Sequence, residues 1–368
     1  MYSPSIAGLA SRIEARAKSD LAEHNVGGAS VLVARRDEIL YQNHFGAASP
    51  NGEAITDQTL FRLASMTKPI TAAATMIAVE RGLLSLDDPI ERYYPAFSAM
   101  RVQGREGICE KKIRVWHLLS HTSGIASGNV WADSYSRMTA ENMETIESFV
   151  DFLSGEPLSF IPEETQEYSA VGAFSVLAGI LQKVTDTEYE AFLQKELLLP
   201  CRMTDTTFVP SEAQWKRLIT MHDKVDGVSC VGKTYDGCVF GKFPPTHYLG
   251  GAGLISSMKD YFRFAQMLLS GGVLDGTRIL SERSLAEITR PRIPQKAGQA
   301  WGLAVRVRTG TENSSLPVGA YGWSGAYGTH FWIDPTNELI GIYLKNSCYD
   351  GGSGAKTSKN FEDDVYAQ

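Results

Sequence analysis

Ser65 and Lys68 stand three residues apart in "LASMTKPITAAATMIAV", at the start of a long apolar run. Pro69 has no backbone N–H and is comfortable only in the first turn of a helix. The helix therefore begins near Met66, with Ser65 at its mouth. Residues three apart share a helix face, which puts Lys68 beside Ser65. A serine at that mouth has an ordinary use as an N-cap. A capping box, however, would carry Glu or Gln at position 68, and this chain has the opposite charge. The amino end of a helix is electropositive, and the run from 70 to 81 is apolar nearly all round. Both conditions disfavour a protonated amine, so Lys68 is expected to have a lowered pKa. Such an amine beside a hydroxyl can activate a weak nucleophile.

Spacing alone does not select this pair, because Ser256 with Lys259 and Ser353 with Lys356 repeat it. The first of these opens an ordinary surface-type helix, and the second lies in a Gly-rich polar tail. Other candidate constellations are weaker. His117 and His121 are spaced i, i+4, but Leu118 stands where a zincin carries Glu, so no metal is expected and His121 reads as a structural hydrogen-bonding residue. "GGAG" at 250–253 has the wrong glycine spacing for a dinucleotide loop and reads as a tight turn. Asp87 and Asp88 precede Pro89 and read as a turn. No G-x-S-x-G elbow is present, which argues against an α/β-hydrolase. Cys109, Cys201, Cys230, Cys238 and Cys348 show no C-x-x-C spacing. Cys230 and Cys238 could pair in an oxidising compartment, but reduced thiols are the expected state.

The elements that must hold these residues follow from periodicity. "ASVLVARRDEILYQNHFGAAS" (29–49) reads as two strands joined by a charged turn. Helical patterns cover 1–24, 70–81, 142–153, 171–184 and 259–272, with Gly82 as the C-terminal cap of the second. Strands return at 301–309, 328–335 and 339–346. Strands at both ends with helices between them imply one sheet built from both termini. The 368 residues, net charge of −7 and absence of a basic stripe fit an enzyme-sized fold and exclude nucleic acid as an expected partner. No apolar run is long enough for a membrane span, and the amino-terminal helix lacks the core of a secretory signal. A cytoplasmic location is expected, or a secreted one if a signal has been removed.

The segment "LFRLASMTKPITAAATMIAVERGLLSLDDPI" (60–90) closely resembles the serine β-lactamase-like family, which includes class C β-lactamases, D-amino-acid peptidases and family VIII carboxylesterases. "VWHLLSHTSGI" (115–125), the stretch from 167 to 206, "LGGAGLISSMKDYFRFAQMLLSGG" (249–272) and "YGWSGAYGTHFWIDP" (321–335) resemble further family segments in the same order. The resemblance covers roughly residues 25 to 346. It implies an α/β fold of the β-lactamase/transpeptidase type, with an antiparallel sheet formed by 1–90 and 246–368. A mainly helical part, 91–245, would stand beside it with the site between them. It implies Ser65 as the acylated nucleophile, Lys68 as its activator and Tyr168 as the partner acid/base. The resemblance further implies an oxyanion hole made by the backbone N–H groups of Ser65 and Ala326, and no cofactor. A tyrosine of pKa ~10 is a poor base at neutral pH, so Lys68 and Tyr168 would titrate as a coupled pair.

Two positions depart from the pattern of the family's β-lactamases. Tyr168-Ser169-Ala170 lacks the Asn of Tyr-x-Asn, and Trp323-Ser324-Gly325 opens with an aromatic where Lys or His is usual. Both changes remove polar handles for a peptide-like carboxylated ligand and favour an apolar acyl or alcohol group, as in the family's esterases. Trp323, Ser324, Gly325, Tyr327, Trp131 and Tyr135 are candidates to line the pocket, with Gly325 leaving room for close approach. Trp332 reads as packing. The expected activity is hydrolysis of small-molecule esters with short-to-medium acyl groups, or acyl transfer. A β-lactamase or D-amino-acid peptidase and a sensor without turnover are the alternatives. The sequence leaves the oligomeric state and the role of 211–245 open.

Overall fold

In "GASVLVAR" successive side chains alternate, with Val31 and Val33 on one side and Leu32 and Ala34 on the other. All four are buried, so a layer must cover each face of this strand. The computed structural model describes residues 6–232, 247–295, 298–312 and 314–367, and it shows both layers. Strand β1 (Gly28–Arg35) pairs with β2 (Glu38–Gly46). On its other side it pairs in antiparallel register with β8 (Leu339–Lys345), Ala29 opposite Lys345 and Arg35 opposite Leu339. The sheet continues through β7 (His330–Asp334), β6 (Tyr321–Ser324), β5 (Arg306–Arg308), β4 (Gln299–Trp301) and β3 (Pro294–Gln295), in the order β2-β1-β8-β7-β6-β5-β4-β3. The two termini thus build one antiparallel sheet, as their strand patterns imply.

Helices α1 (Ile6–Ala22) and α6 (Lys356–Tyr366) cover one face. Leu9, Ile13, Val31, Val33, Trp332, Phe361 and Val365 form the core there, so Trp332 is a packing residue. The opposite face carries Leu32, Phe331, Ile333, Ile340 and Ile342 and packs on α5 (Met258–Leu269), and the same core continues through α2 (Thr67–Glu80) and α4 (Gly172–Thr185). The same core runs on into α3 (Ile146–Gly155), whose Thr145 and Ser148 form a reciprocal capping box. Helix α2 ends as its sequence demands, with Gly82 in the left-handed region at φ 68°.

One expected element is different. The stretch 301–309 is two strands joined by a tight turn. A side chain at Gly302 would collide with the Ile288 carbonyl, and Ala304 adopts φ 62°. The Leu303 and Ala304 N–H groups donate to the carbonyls of Ile288 and Leu119. These tertiary hydrogen bonds draw the backbone out of the ladder, and Arg306 returns to pair with Trp301. Cys238 lies outside the described residues, and Cys109, Cys201 and Cys230 are free thiols. Among the described residues no helix is long and apolar enough to cross a membrane. Nor does any group of three or more His, Cys, Asp or Glu stand where it could hold a metal.

Candidate active site

Ser65 lies in a 3-10 turn, Ala64–Met66, that leads directly into α2. The chain reaches it under constraint. Ala64 is buried with φ 47°, a region alanine rarely adopts. Such a residue persists only where its surroundings hold it. Here the preceding Arg62 is clamped by Asn346, which accepts from the Arg62 N–H at 2.8 Å and donates to its carbonyl at 3.1 Å. The Leu63 carbonyl accepts from Thr329 Oγ1 at 2.8 Å. Any side chain at Gly325 would strike that same Leu63 carbonyl and Thr329. The close approach that requires glycine at 325 is therefore made by the protein's own backbone.

Lys68 is 0 % exposed. Its Nζ lies 3.1 Å from Ser65 Oγ and donates to the carbonyls of Ala170 at 2.7 Å and Gly251 at 2.8 Å. Burial pushes its pKa well below the ordinary 10.5. A neutral amine has two N–H bonds and one lone pair. With both N–H groups directed to carbonyls, the lone pair is left for the third neighbour, the Ser65 hydroxyl. The glycines of "GGAG" make this possible, because a side chain at Gly250 or Gly251 would crowd Phe174, Ala170 and Lys68.

Tyr168 Oη accepts from Trp323 Nε1 at 3.3 Å, and its ring centroid lies 4.9 Å from Lys68 Nζ. Burial raises its pKa to about 12, against the pull of Ser65, Trp323 and the Arg306 charge. Desolvation thus favours the uncharged form of both Lys68 and Tyr168. The tyrosine is held from both sides of its backbone by His121, whose Nδ1 accepts from the Ser169 N–H at 3.1 Å and whose carbonyl accepts from the Glu167 N–H at 3.1 Å. Burial, with the Arg306 charge, drives the His121 pKa well below its ordinary value, so the ring is neutral. His121 also packs 4.5 Å from the Tyr168 ring and 4.4 Å from Trp301. Its partner in the i, i+4 pair goes elsewhere: His117 Nε2 meets Glu163 at 2.7 Å.

The remaining candidates divide. Trp323 is 5 % exposed and packs on both Tyr168 and Trp301. Tyr327 is buried against Ala64, next to Ser65. The Ala326 N–H has no acceptor among the described residues. Ser324, next to the inward Trp323 on β6, falls on the other sheet face. Its hydroxyl bonds His330 Nδ1 at 2.9 Å, and His330 reaches Glu362 of α6 at 3.1 Å, so Ser324 helps tie the last helix to the sheet. Trp131 and Tyr135 meet at a tilt, ring centroids 5.6 Å apart, on the helix Gly128–Arg137, and Trp131 packs on Phe149. No described contact joins either to Ser65, Lys68 or Tyr168.

Sequence reading missed the part that four residues play in this group. Ala170 and Gly251 act through backbone carbonyls, which leave no side-chain signal. Trp301 and Arg306 arrive from the β4–β5 hairpin. The guanidinium of Arg306 lies 4.9 Å from the Trp323 ring and 5.4 Å from the Trp301 ring.

Comparison with known proteins accords with this geometry. Residues 13–360 match the family model described as Beta-lactamase. The chain is 30 % identical to Esterase EstB of Burkholderia gladioli, over 100 % of this chain and 97 % of that one. It is 31 % identical to Protein Rv1367c of Mycobacterium tuberculosis, over 88 % and 87 %. Among solved structures, EstCE1, described as a hydrolase with promiscuous acyltransferase activity, superposes with a TM-score of 0.86 at 24 % identity, covering 98 % of this chain and 99 % of the other. Unliganded simvastatin synthase (LovD) from Aspergillus terreus does so at 0.81 and 19 % identity, covering 100 % and 99 %. The chain belongs to the beta-lactamase family of serine hydrolases.

Proposed function

We propose that this protein hydrolyses carboxylic esters of short-to-medium acyl groups through a Ser65 acyl-enzyme. The observation that carries the reading is the placement of Ser65 Oγ 3.1 Å from a fully buried Lys68 amine, with the Tyr168 ring 4.9 Å from that same amine. In the acylation step the Ser65 oxygen attacks the ester carbonyl carbon, and its proton passes to the Lys68 lone pair. The backbone N–H groups of Ser65 and Ala326 receive the charge that develops on the carbonyl oxygen. As the C–O bond to the alcohol breaks, the Tyr168 hydroxyl donates its proton to the departing oxygen, and Lys68 then restores it. Water enters by the same route in reverse and releases the acid.

Several features support an ester as substrate. Trp323, a bulky aromatic, fills the position where a cation would greet a peptide or β-lactam carboxylate, and residue 170 is alanine. EstB is named as an esterase, and EstCE1 is described as a hydrolase. Acyl transfer to an alcohol in place of water is the second reading, favoured by the acyltransferase activity in the description of EstCE1. The arrangement also supports a division into a sheet part (1–90 with 246–368) and a helical part (91–245), because Ser65 and Trp323 come from the first and Tyr168 from the second.

The test is turnover of p-nitrophenyl butyrate and nitrocefin by wild type, Ser65→Ala and Tyr168→Phe. Ester turnover that vanishes in Ser65→Ala, with nitrocefin hydrolysed far less efficiently, is the expected result. Wild-type ester turnover in Ser65→Ala would refute the nucleophile. Nitrocefin hydrolysis matching ester hydrolysis would refute the substrate class.

A further inference from the structure

Arg306 is a half-buried cation without a carboxylate. Among the described residues no acid pairs with it, whereas Arg16, Arg36, Arg81, Arg137 and Arg217 each meet one. Its Nη1 donates to Ser353 Oγ at 2.8 Å, and its buried Nε has no partner among the described residues. Even a partly desolvated charge without a counter-ion carries a cost. The chain holds it in place all the same. Arg306 sits opposite Trp301 on β4 and Gly322 on β6, and its guanidinium faces the rings of Trp301 and Trp323 at 5.4 and 4.9 Å. An aromatic face attracts a cation, and guanidinium stacks well on it. Trp323 in turn donates its indole N–H to Tyr168 Oη at 3.3 Å. The positive charge therefore lies one ring behind the phenol oxygen.

We propose that Arg306 is the positioning residue that stabilises the Tyr168 phenolate, acting through Trp323, when Tyr168 has given its proton to the departing alcohol. The inference rests on the reading of Tyr168 as the general acid. During that step the O–H bond of Tyr168 breaks, a new O–H bond forms on the leaving oxygen, and a full negative charge appears on the phenol oxygen. A fixed cation behind Trp323 compensates that charge without reorganising. It also strengthens the indole N–H as a donor to the phenolate, because a cation over the ring withdraws electron density from it. Supporting this, Arg306 and Tyr168 act on each other: Arg306 opposes the rise in the Tyr168 pKa, and Tyr168 opposes the fall of Arg306, which burial brings to about 10. Arg306 remains charged at neutral pH. Position 323 thus lacks a cation of its own, and a neighbouring strand supplies one from behind.

The consequence is specific to the leaving group. p-Nitrophenolate departs at neutral pH without a proton, whereas ethoxide needs one. The experiment measures kcat/KM for p-nitrophenyl butyrate and ethyl butyrate, which form the same acyl-enzyme, with wild type, Arg306→Gln, Arg306→Met, Arg306→Lys and Tyr168→Phe. The Met variant fills the volume of the arginine stem and secures a folded neutral variant. General acids contribute about 10² to 10⁴ in rate, so a residue that tunes one should cost about tenfold. The expected result is a loss of about tenfold on ethyl butyrate and less than about threefold on p-nitrophenyl butyrate for the Gln and Met variants. Arg306→Lys should regain most of the ethyl ester activity. Equal losses on both esters, or none on either, would overturn the role of Arg306. If Tyr168→Phe itself spares the ethyl ester, the assignment of Tyr168 as acid fails. If Tyr168→Phe discriminates between the esters and the Arg306 variants do not, only the present inference fails.

Discussion

Lys68→Met tests the charge state on which the acylation step depends. Methionine keeps the volume of the side chain and removes the amine. In the folded protein burial lowers the Lys68 pKa, so that between this depressed value and 10.5 the unfolded chain binds one more proton than the folded one. Stability is then lost as pH falls and gained as pH rises, at about 1.4 kcal/mol per pH unit. The variant has no such titration, and all other groups cancel in the difference. Wild type should therefore gain on Lys68→Met at up to that slope as pH rises toward 10.5, levelling off above it. The offset at neutral pH is set by other losses. The carbonyls of Ala170 and Gly251 lose their donor, at about 1 to 3 kcal/mol for each if nothing replaces it. Activity should fall by about 10² to 10⁴, the range for a general base. The assay is urea unfolding of both proteins at several pH values in that window, with ester turnover alongside. Parallel stability curves would refute the reasoning, because they would mean that the folded protein keeps Lys68 charged.

Other perturbations follow from single contacts. Trp323→Phe keeps the aromatic wall and deletes the N–H donor to Tyr168, so ethyl ester kcat/KM should drop about fivefold, equivalent to about 1 kcal/mol. Gly325→Ala puts a methyl group into the Leu63 carbonyl and Thr329 and should displace the turn carrying Ser65. The expected cost is about 1 to 3 kcal/mol by thermal unfolding, with reduced kcat; an unchanged melting temperature would contradict the packing. His117 is brought down to about 4 by burial, against the pull of Glu163. The folded protein therefore binds fewer protons than the unfolded chain between about 4 and the ordinary 6.5, and stability falls as pH drops through that window. His117→Gln should make the fall shallower, by up to about 1.4 kcal/mol per pH unit.

The legible parts of this molecule were those fixed by local pattern. A proline in the first turn, a basic residue where a cap wants an acid and an apolar helix mark Ser65 and Lys68 as a candidate pair. Strand alternation was enough to join the two termini in one sheet. That same alternation carried an unused signal: Trp323 and Ser324 are adjacent on one strand, so both cannot face Ser65. Other features depend on tertiary pairing. Arg306 in "WGLAVRVRT" reads as an outward polar residue of a continuous strand. Only the turn at 302–305, drawn out by the carbonyls of Ile288 and Leu119, pairs it with Trp301. The acceptors that orient Lys68 are backbone carbonyls and have no residue signature. The missing Asn at 170 drew attention to a lost side chain, while the carbonyl of the same residue holds the amine.

The central claim is a covalent acyl group on Ser65. Wild-type protein mixed with p-nitrophenyl butyrate and quenched in acid within the first turnovers should gain the mass of one butyryl group, and peptide mapping should place it on Ser65. Ser65→Ala, treated alike, should gain none. An adduct mapped to another residue, or full ester turnover by Ser65→Ala, would contradict the account.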